Sequence, residues 1–327
     1  MDILLQQIIN GLVLGSMYAL IALGYTMVYG IIQLINFAHG AVLMVGALVP
    51  WAVTGVLEEA VPGLPPSLIL LAATVAGCVV AAVLNIVIEK VAYRPLRNAP
   101  RLAPLITAIG MSILLQALAM VIWKPNVKSF PSMLPTDPYF IGEAVITPTQ
   151  IMILVVTVMS LAVLMYIVHY TRIGRAMRAT AENPRVAALM GVKPDAVISA
   201  TFAIGAVLAA IAGVMYASNY GTAQHFMGFL PGLKAFTAAV FGGIGNLAGA
   251  VVGGVLLGLI VQPDSSNYIW RFFCRLTDPV VAAVSAVTPK DTAPVVIWLF
   301  AVVWLFWLRI LLLNLFLYFG ALPRIVE

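Results

Sequence analysis

The chain has 327 residues, of which 63% are hydrophobic and only 9% are charged. Its mean hydropathy is +1.08. A soluble domain is about half apolar, so this composition excludes a soluble globular protein and predicts a multi-pass membrane protein. The net charge of +5 comes from short Lys and Arg clusters between apolar runs. That placement orients a chain in a membrane, and no nucleic-acid partner is expected.

The apolar runs predict an all-α polytopic fold of about eight transmembrane helices, some of them interrupted. The runs cover residues 3–32, 33–53, 67–88, 102–123, 149–168, 196–217, 231–260 and a last stretch from 295. Basic clusters follow the third and fifth runs, at Lys90–Arg101 and His169–Asp195. The positive-inside rule puts both in the cytoplasm, which places the N-terminus outside.

Small residues four apart predict close helix packing in two places. The first run carries Gly11 and Gly15, and the seventh carries Gly245, Gly249 and Gly253.

The seventh run also contains a glycine break. Gly242, Gly243 and Gly245 interrupt it and Asn246 follows. Such a break exposes backbone groups at membrane depth, which is tolerated where they line a wet cavity or are buried in protein. The spacing matches no phosphate-binding glycine motif, so these glycines do not predict a nucleotide site.

Two polar residues stand between the apolar stretches of the second run, Asn36 and His39. Polar groups at this depth are costly unless they face a cavity or the bundle interior. His39 is interpreted either as part of a pathway or as an interior or interfacial histidine satisfied by a neighbour.

A weak internal similarity indicates an inverted-topology repeat. GSMYALIALGYTMVYG at 15–30 resembles GAVLAAIAGVMYASNYG at 205–221. The predicted orientation runs the first copy inward and the second outward, as in transporters whose repeats meet near the midplane. Chance similarity between low-complexity apolar sequences remains the alternative.

The stretch His169–Asp195 is the longest well-charged interruption in the chain. Within it, the order Asn, Pro, apolar residues and Gly predicts a short capped helix. The residues assigned to this segment are Glu182, Asn183, Pro184, Val186, Leu189, Met190 and Gly191. A helix of about two turns is marginal alone, so we interpret it as a docking helix for a soluble cytoplasmic protein. The alternative is a loop whose arginines only fix topology.

The sequence contains no recognisable catalytic or metal-binding constellation. The three histidines His39, His169 and His225 are far apart, and Cys78 and Cys274 stand alone. No His-Glu-x-x-His motif or supported Ser, His and Asp set is present. We therefore expect a protein that is not an enzyme and that has no cofactor or metal.

Three motifs together resemble the LivH-type permeases of bacterial ABC importers for branched-chain amino acids. They are GSMYALIALGYTMVYGIIQLINFAHG, TRIGRAMRATAENPRVAALMGV and AAVFGGIGNLAGAVVGGVLLG, in the family's order. The resemblance covers residues 3 to about 260. Close relatives of that family import urea and short-chain amides.

The resemblance implies a complex in the bacterial inner membrane. Its members would be a LivM-like sister permease, two cytoplasmic ABC ATPase subunits on the helix at Glu182–Gly191, and a periplasmic substrate-binding protein, with lipid around the permeases. ATP hydrolysis would belong to the ATPases. The residues expected along the translocation route are Tyr18, Asn36, His39, Gly243 and Asn246.

The tail departs from that family. We divide the chain into a permease domain, 1–260, and an atypical C-terminal segment, 261–327, in which NYIWRFFCRLTDPV faintly resembles YggT-type membrane proteins. Arg309 falls near the centre of the last run and must pair or reach an interface.

Two other functions stay open at this stage. One is a permease for urea or short-chain amides. The other is a self-sufficient channel or secondary transporter for a small neutral solute, although such a transporter would usually keep an acidic coupling residue at depth.

Overall fold

The computed structural model of the protein describes residues 2–260 except 98, 101, 134–136 and 142–143. The predicted C-terminal segment 261–327, with Arg309 and the last predicted span, lies outside the described residues.

Within the described residues the fold is built from α-helices, with a few very short strands. The helices are α1 (Asp2–Ile32), α2 (His39–Ala60), α3 (Pro66–Ile88), α4 (Leu102–Trp123), α5 (Pro148–Tyr170), α6 (Arg172–Glu182), α7 (Pro184–Leu189), α8 (Pro194–Tyr220), α9 (Phe229–Phe241) and α10 (Leu247–Ile260). The strands are β1 (Lys128–Ser129), β2 (Tyr139–Ile141), β3 (Ala144–Ile146) and β4 (Thr222–Ala223). Six of the helices are long and apolar enough to cross a membrane. The prediction of an all-α polytopic membrane protein is confirmed.

The seventh predicted run is two short helices rather than one span. Helix α9 ends at Phe241 and α10 begins at Leu247, so the interruption falls on the predicted glycines. Gly243 and Gly245 have φ angles of +89° and +96°, which a residue with a side chain adopts only with strain. The interruption between α9 and α10 therefore depends on backbone angles that glycine adopts without strain.

The second predicted span begins later than the sequence indicated. Helix α2 starts at His39, and residues 33–38 form a connector that the hydrophobicity pattern merged with the span. Gln33 has a φ of +56°, which ends α1, and the Asn36 side chain accepts a hydrogen bond from the Ala38 amide at 3.1 Å. A short Asx turn of this kind competes with helix formation.

Two faces of the bundle can be defined by their contacts. On the loop face, the Gln6 side chain bonds Val145, and β1 pairs with β4 antiparallel. On the basic face, Arg97 contacts Asp195. Helix α1 begins on the loop face and ends on the basic face.

Glycines bring α10 against α1 at backbone contact. A Cβ on Gly254 would lie 2.6 Å from the Cα of Ala19, and a Cβ on Gly258 would overlap the Gly15 backbone and approach the Gly11 carbonyl. The same tight packing recurs between α9 and α10, where Gly249 meets Gly242 and Gly253 meets Ala238. Small residues permit this separation in a membrane, where packing and not water exclusion holds helices together.

The two segments with internal similarity occupy related positions. Helix α1 crosses α8 at Gly24 and Gly205, while Tyr18 lies beside Tyr216 and Tyr220, so the helices run antiparallel. Each is followed by a connector and then a second helix, and these second helices meet at their first turns. A Cβ on Gly40 would lie 2.6 Å from the Gly228 carbonyl oxygen. This is the arrangement expected of an inverted repeat.

We predict that Gly258→Leu destabilises the bundle, because the new side chain has no space between α10 and α1. The expected cost is about 1 to 3 kcal/mol, measured as a lower melting temperature and a loss of monodisperse protein in detergent. Gly110→Leu is the matched control, since nothing lies within 4 Å of a Cβ at Gly110 on α4. Equal behaviour of the two variants would contradict the packing argument.

Candidate functional site

The segment Glu182–Gly191, predicted as a docking site, has the capped geometry expected from the sequence. Asn183 precedes α7, and its side-chain oxygen accepts hydrogen bonds from the Arg185 and Val186 amides at 3.0 and 3.2 Å. Pro184 occupies the first helical position, and Gly191 has a φ of +84° just after the helix. These groups satisfy the free backbone donors at the start of the helix and allow the turn after it.

The apolar side chains of α7 face away from the rest of the chain. Val186, Leu189 and Met190 are 53%, 87% and 81% exposed, whereas Ala187 on the other side is buried. Glu182 is also exposed. An exposed apolar patch on the basic face is a typical binding surface for another protein.

Helix α6, which the sequence analysis did not predict, joins this segment to the bundle. The Thr171 side chain caps α6 by accepting from the Gly174 amide at 3.1 Å, and the Arg178 guanidinium donates to the Val168 carbonyl. Met177 is buried in an apolar cluster that includes residues of α1, α5, α8 and α10, among them Met27 and Leu247. The α6 sequence is strongly amphipathic, a signal that its many arginines obscured.

The five predicted route residues do not form one site. They lie at three levels along α1, beside Tyr18, Gly24 and Gly30. At about 1.5 Å per residue, the level nearest the loop face and the level nearest the basic face are about 18 Å apart.

The level nearest the loop face contains Tyr18 and a lysine that was not among the predicted route residues. Lys234 on α9 places its ammonium 5.7 Å from the centre of the Tyr18 ring, and Tyr18 itself is buried. A charged side chain inside a short apolar helix is costly in a membrane. The position of Lys234 in an apolar run could therefore have marked it as a candidate route residue from the sequence.

The middle level contains Asn36 and His39, both buried. The Asn36 side-chain oxygen accepts a hydrogen bond from the Tyr93 hydroxyl at 2.9 Å. The His39 ring packs against Gly24, where a side chain would clash, and lies 4.6 Å from the Tyr25 ring. In the described part of the chain, Asn36 Nδ2 is buried without a hydrogen-bond partner, and neither His39 ring nitrogen makes a hydrogen bond of normal geometry, although the Ile21 backbone lies near the ring. Such groups are rare, so this is a polar point in an apolar interior.

An apolar cavity of about 430 Å³ lies next to this middle level. Its walls include Tyr25, Phe37 and Gly40 from the first half and Phe229 and Gly232 from α9. Asn36 and His39 are not among its lining residues. The two polar residues were predictable from the sequence, but their aromatic neighbours were not, because aromatic residues in an apolar run carry no distinct signal.

The level nearest the basic face contains the glycine break. Gly245 lies against Gly30, and Asn246 caps α10 by accepting from the Gly249 amide at 3.1 Å. Gly243 and Asn246 are exposed. A cavity of about 380 Å³ separates the break from α6, with Gly245, Asn246 and Arg178 among its lining residues. The break and α6 therefore share one cavity on the basic face.

No group of His, Cys, Asp and Glu residues that could hold a metal occurs in the part of the chain that the structure describes. The arrangement is that of a transport protein: a polytopic helical bundle with a broken helix and an exposed helix on one face. Residues 7–263 match the family described as the permease component of branched-chain amino acid transport systems. The chain belongs to that family.

Curated relatives agree with this assignment. BraD of Pseudomonas aeruginosa, a high-affinity branched-chain amino acid transport system permease protein, is 48% identical over 261 residues, covering 78% of this chain and 84% of BraD. LivH of Escherichia coli, described in the same way, is 45% identical over 271 residues, covering 81% and 87%. The ribose import permease protein RbsC of Escherichia coli is 26% identical over 267 residues, covering 78% and 77%. No solved structure matches.

We predict that Asn183→Ala frays α7, because two backbone amides lose their acceptor. The cost of about 1 kcal/mol should raise hydrogen exchange at residues 185–190 about fivefold, as measured by mass spectrometry. Asn183→Asp keeps an acceptor and should exchange like the parent chain. Unchanged exchange in the alanine variant would show that the cap does not stabilise α7.

Proposed function

We propose that this chain is a transmembrane permease subunit of an ABC importer for branched-chain or other small neutral amino acids. The observation that carries the proposal is the capped helix α7, with three exposed apolar side chains on the basic face. An ATP-driven permease needs such a surface, since it must receive force from a separate protein. The names of the relatives at 45 and 48% identity support the substrate class.

The proposed complex has four further kinds of contact. The chain pairs with a LivM-like sister permease, two cytoplasmic ABC ATPases bind the α7 surfaces, a periplasmic binding protein delivers substrate, and lipid surrounds the helices. The exposed apolar side chains of α3, α4 and α5 offer surface for lipid and for the sister subunit. The chain itself hydrolyses no ATP in this scheme.

We place the protein in the bacterial inner membrane with its basic face in the cytoplasm and its N-terminus outside. Arg178 and Lys193 lie on that face beside α7. The loop face, with the β1–β4 pair, would then receive the binding protein.

The proposed cycle is alternating access. Closure of the ATPases moves α7 and α6, and the cavity next to the glycine break gives α9 and α10 room to respond. The substrate passes the three levels along α1, past Tyr18, then Asn36 and His39, then Gly243 and Asn246. Rocking of two inverted halves about such a point is the usual mechanism for repeats of this kind.

The other functions are not favoured. A channel or secondary transporter has no use for an exposed helix on its cytoplasmic face. Among the curated relatives, the branched-chain amino acid permeases are 48 and 45% identical to this chain, whereas the ribose permease is 26% identical. No relative named above is a urea or amide permease.

We predict that Leu189→Asp abolishes co-purification of the ATPase subunits while membrane insertion stays normal. A carboxylate would replace the most exposed apolar side chain of the α7 surface and would be buried unpaired at the interface. Leu189→Met, which conserves volume and polarity, is the matched control. Persistence of the complex with the aspartate variant would exclude α7 as the docking surface.

We predict that the reconstituted importer moves leucine, isoleucine and valine and does not move urea. The measurement is ATP-dependent uptake into proteoliposomes that contain this chain, its sister subunit, the ATPases and the binding protein. Proteoliposomes with this chain alone are the control and should show no uptake. Uptake by the chain alone would identify a channel or secondary transporter instead.

A further inference from the structure

A completely buried carboxylate lies where α3 ends. The side chain of Glu89 has 0% exposure, although it follows directly after an apolar span. Residues Glu89–Tyr93 form a turn of π-helix, closed by a hydrogen bond from the Arg94 amide to the Glu89 carbonyl. Pro95 explains this turn, since a proline lacks an amide and its ring clashes with the carbonyl four residues earlier. Turns of this type occur frequently at functional sites.

Glu89 is fully paired. Arg94 contacts its carboxylate at 3.3 Å, Arg97 forms a closer ion pair, and the Ser199 hydroxyl of α8 donates a hydrogen bond at 2.7 Å. Removing a carboxylate from water is expensive unless such partners replace the water. This end of the cluster is therefore fixed.

The other end of the cluster is different. Arg97 uses its second guanidinium nitrogen to contact Asp195 of α8 at 2.5 Å, and Arg94 is 3.8 Å from the same carboxylate. The Asp195 side chain is 61% exposed. An exposed ion pair can open with little loss of free energy, because water replaces the partner. The cluster thus has a permanent pair at Glu89 and a releasable pair at Asp195.

The releasable pair lies at the point where force from α7 would reach the bundle. Asp195 is the second residue of α8 and follows α7 after only the short connector 190–193. The α6 side of α7 is held by the Arg178 contact and by buried Met177. On the other side, the first turn of α8 reaches the α3 end through the ion pairs of Asp195, and one turn later Ser199 bonds Glu89 and Arg94.

We propose that the Arg97–Asp195 ion pair is a latch that couples movement of the docking helix to α3. This inference rests on the proposed function. Closed, the latch makes the first turn of α8 move with the end of α3. Open, that first turn shifts relative to α3, while Glu89 keeps both arginines and Ser199 in place. Asp195 and Arg97 are positioning residues in this scheme, since neither needs to touch the substrate.

The test measures coupling rather than activity alone. The complete importer is reconstituted in proteoliposomes, and leucine transported is divided by ATP hydrolysed in the same vesicles. We expect Asp195→Asn to lower this ratio about fivefold, while Asp195→Glu retains it. The vesicles are first washed free of unbound ATPase subunits, so a misfolded permease that binds none contributes to neither quantity and does not change the ratio.

Two controls make the result specific. Lys193→Gln removes an exposed charge two residues away that makes no ion pair among the described residues, and its ratio should stay unchanged. Raising the salt concentration from about 0.05 to about 0.5 M screens exposed ion pairs, so it should lower the ratio of the parent chain but not of Asp195→Asn.

The outcomes separate the latch from the proposed function. If the parent complex couples leucine transport to ATP hydrolysis and Asp195→Asn has the same ratio, the latch is wrong and the permease assignment stands. If the parent chain binds no ATPase subunits, the proposed function fails and the latch fails with it. A low ratio in the asparagine variant, restored by glutamate, supports the latch.

Discussion

The close contact between α1 and α10 is the constraint on which the rest of this structure depends. Glycines at 15, 254 and 258 let the two backbones touch, and this contact fixes the depth of everything attached to α10. The break before α10 therefore lies beside Gly30, at the basic face, with α9 folded back along α10. A side chain at these positions would separate the helices and move the break away from α6.

From this contact a continuous path of packing leads to α7, the proposed docking helix. Met177 of α6 and Leu247 of α10 belong to the same buried cluster, which also contains Met27 of α1. Helix α7 is thus joined to the glycine break through apolar contacts on one side. On its other side it is joined to α3 through Asp195 and Arg97. A packed interior transmits a displacement because it cannot be compressed, so both connections can carry force.

Much of this arrangement follows from local sequence signals, and the remainder depends on tertiary contacts. The cap at Asn183 and the break at Gly242–Gly245 were predictable, because Asn, Pro and Gly act on their own backbone. The start of α2 at His39 was not, since the Asn36 turn is stabilised partly by Tyr93, which is 57 residues away. Burial of Glu89 was missed for the same reason, because its partner Ser199 comes from another helix. Hydrophobicity patterns locate spans, but they do not show which polar groups meet.

The distribution of polar groups along α1 bears on how an amino acid could cross. Tyr18 with Lys234, then Asn36 with His39, then Asn246 offer separate polar points, and no described level gathers several charges. A single strong site at the midplane would hold a zwitterion too tightly for release. Passage requires binding that is favourable enough for entry and weak enough for exit. Several weak points in series meet this requirement, and this fits the proposed scheme, in which a separate binding protein captures the substrate.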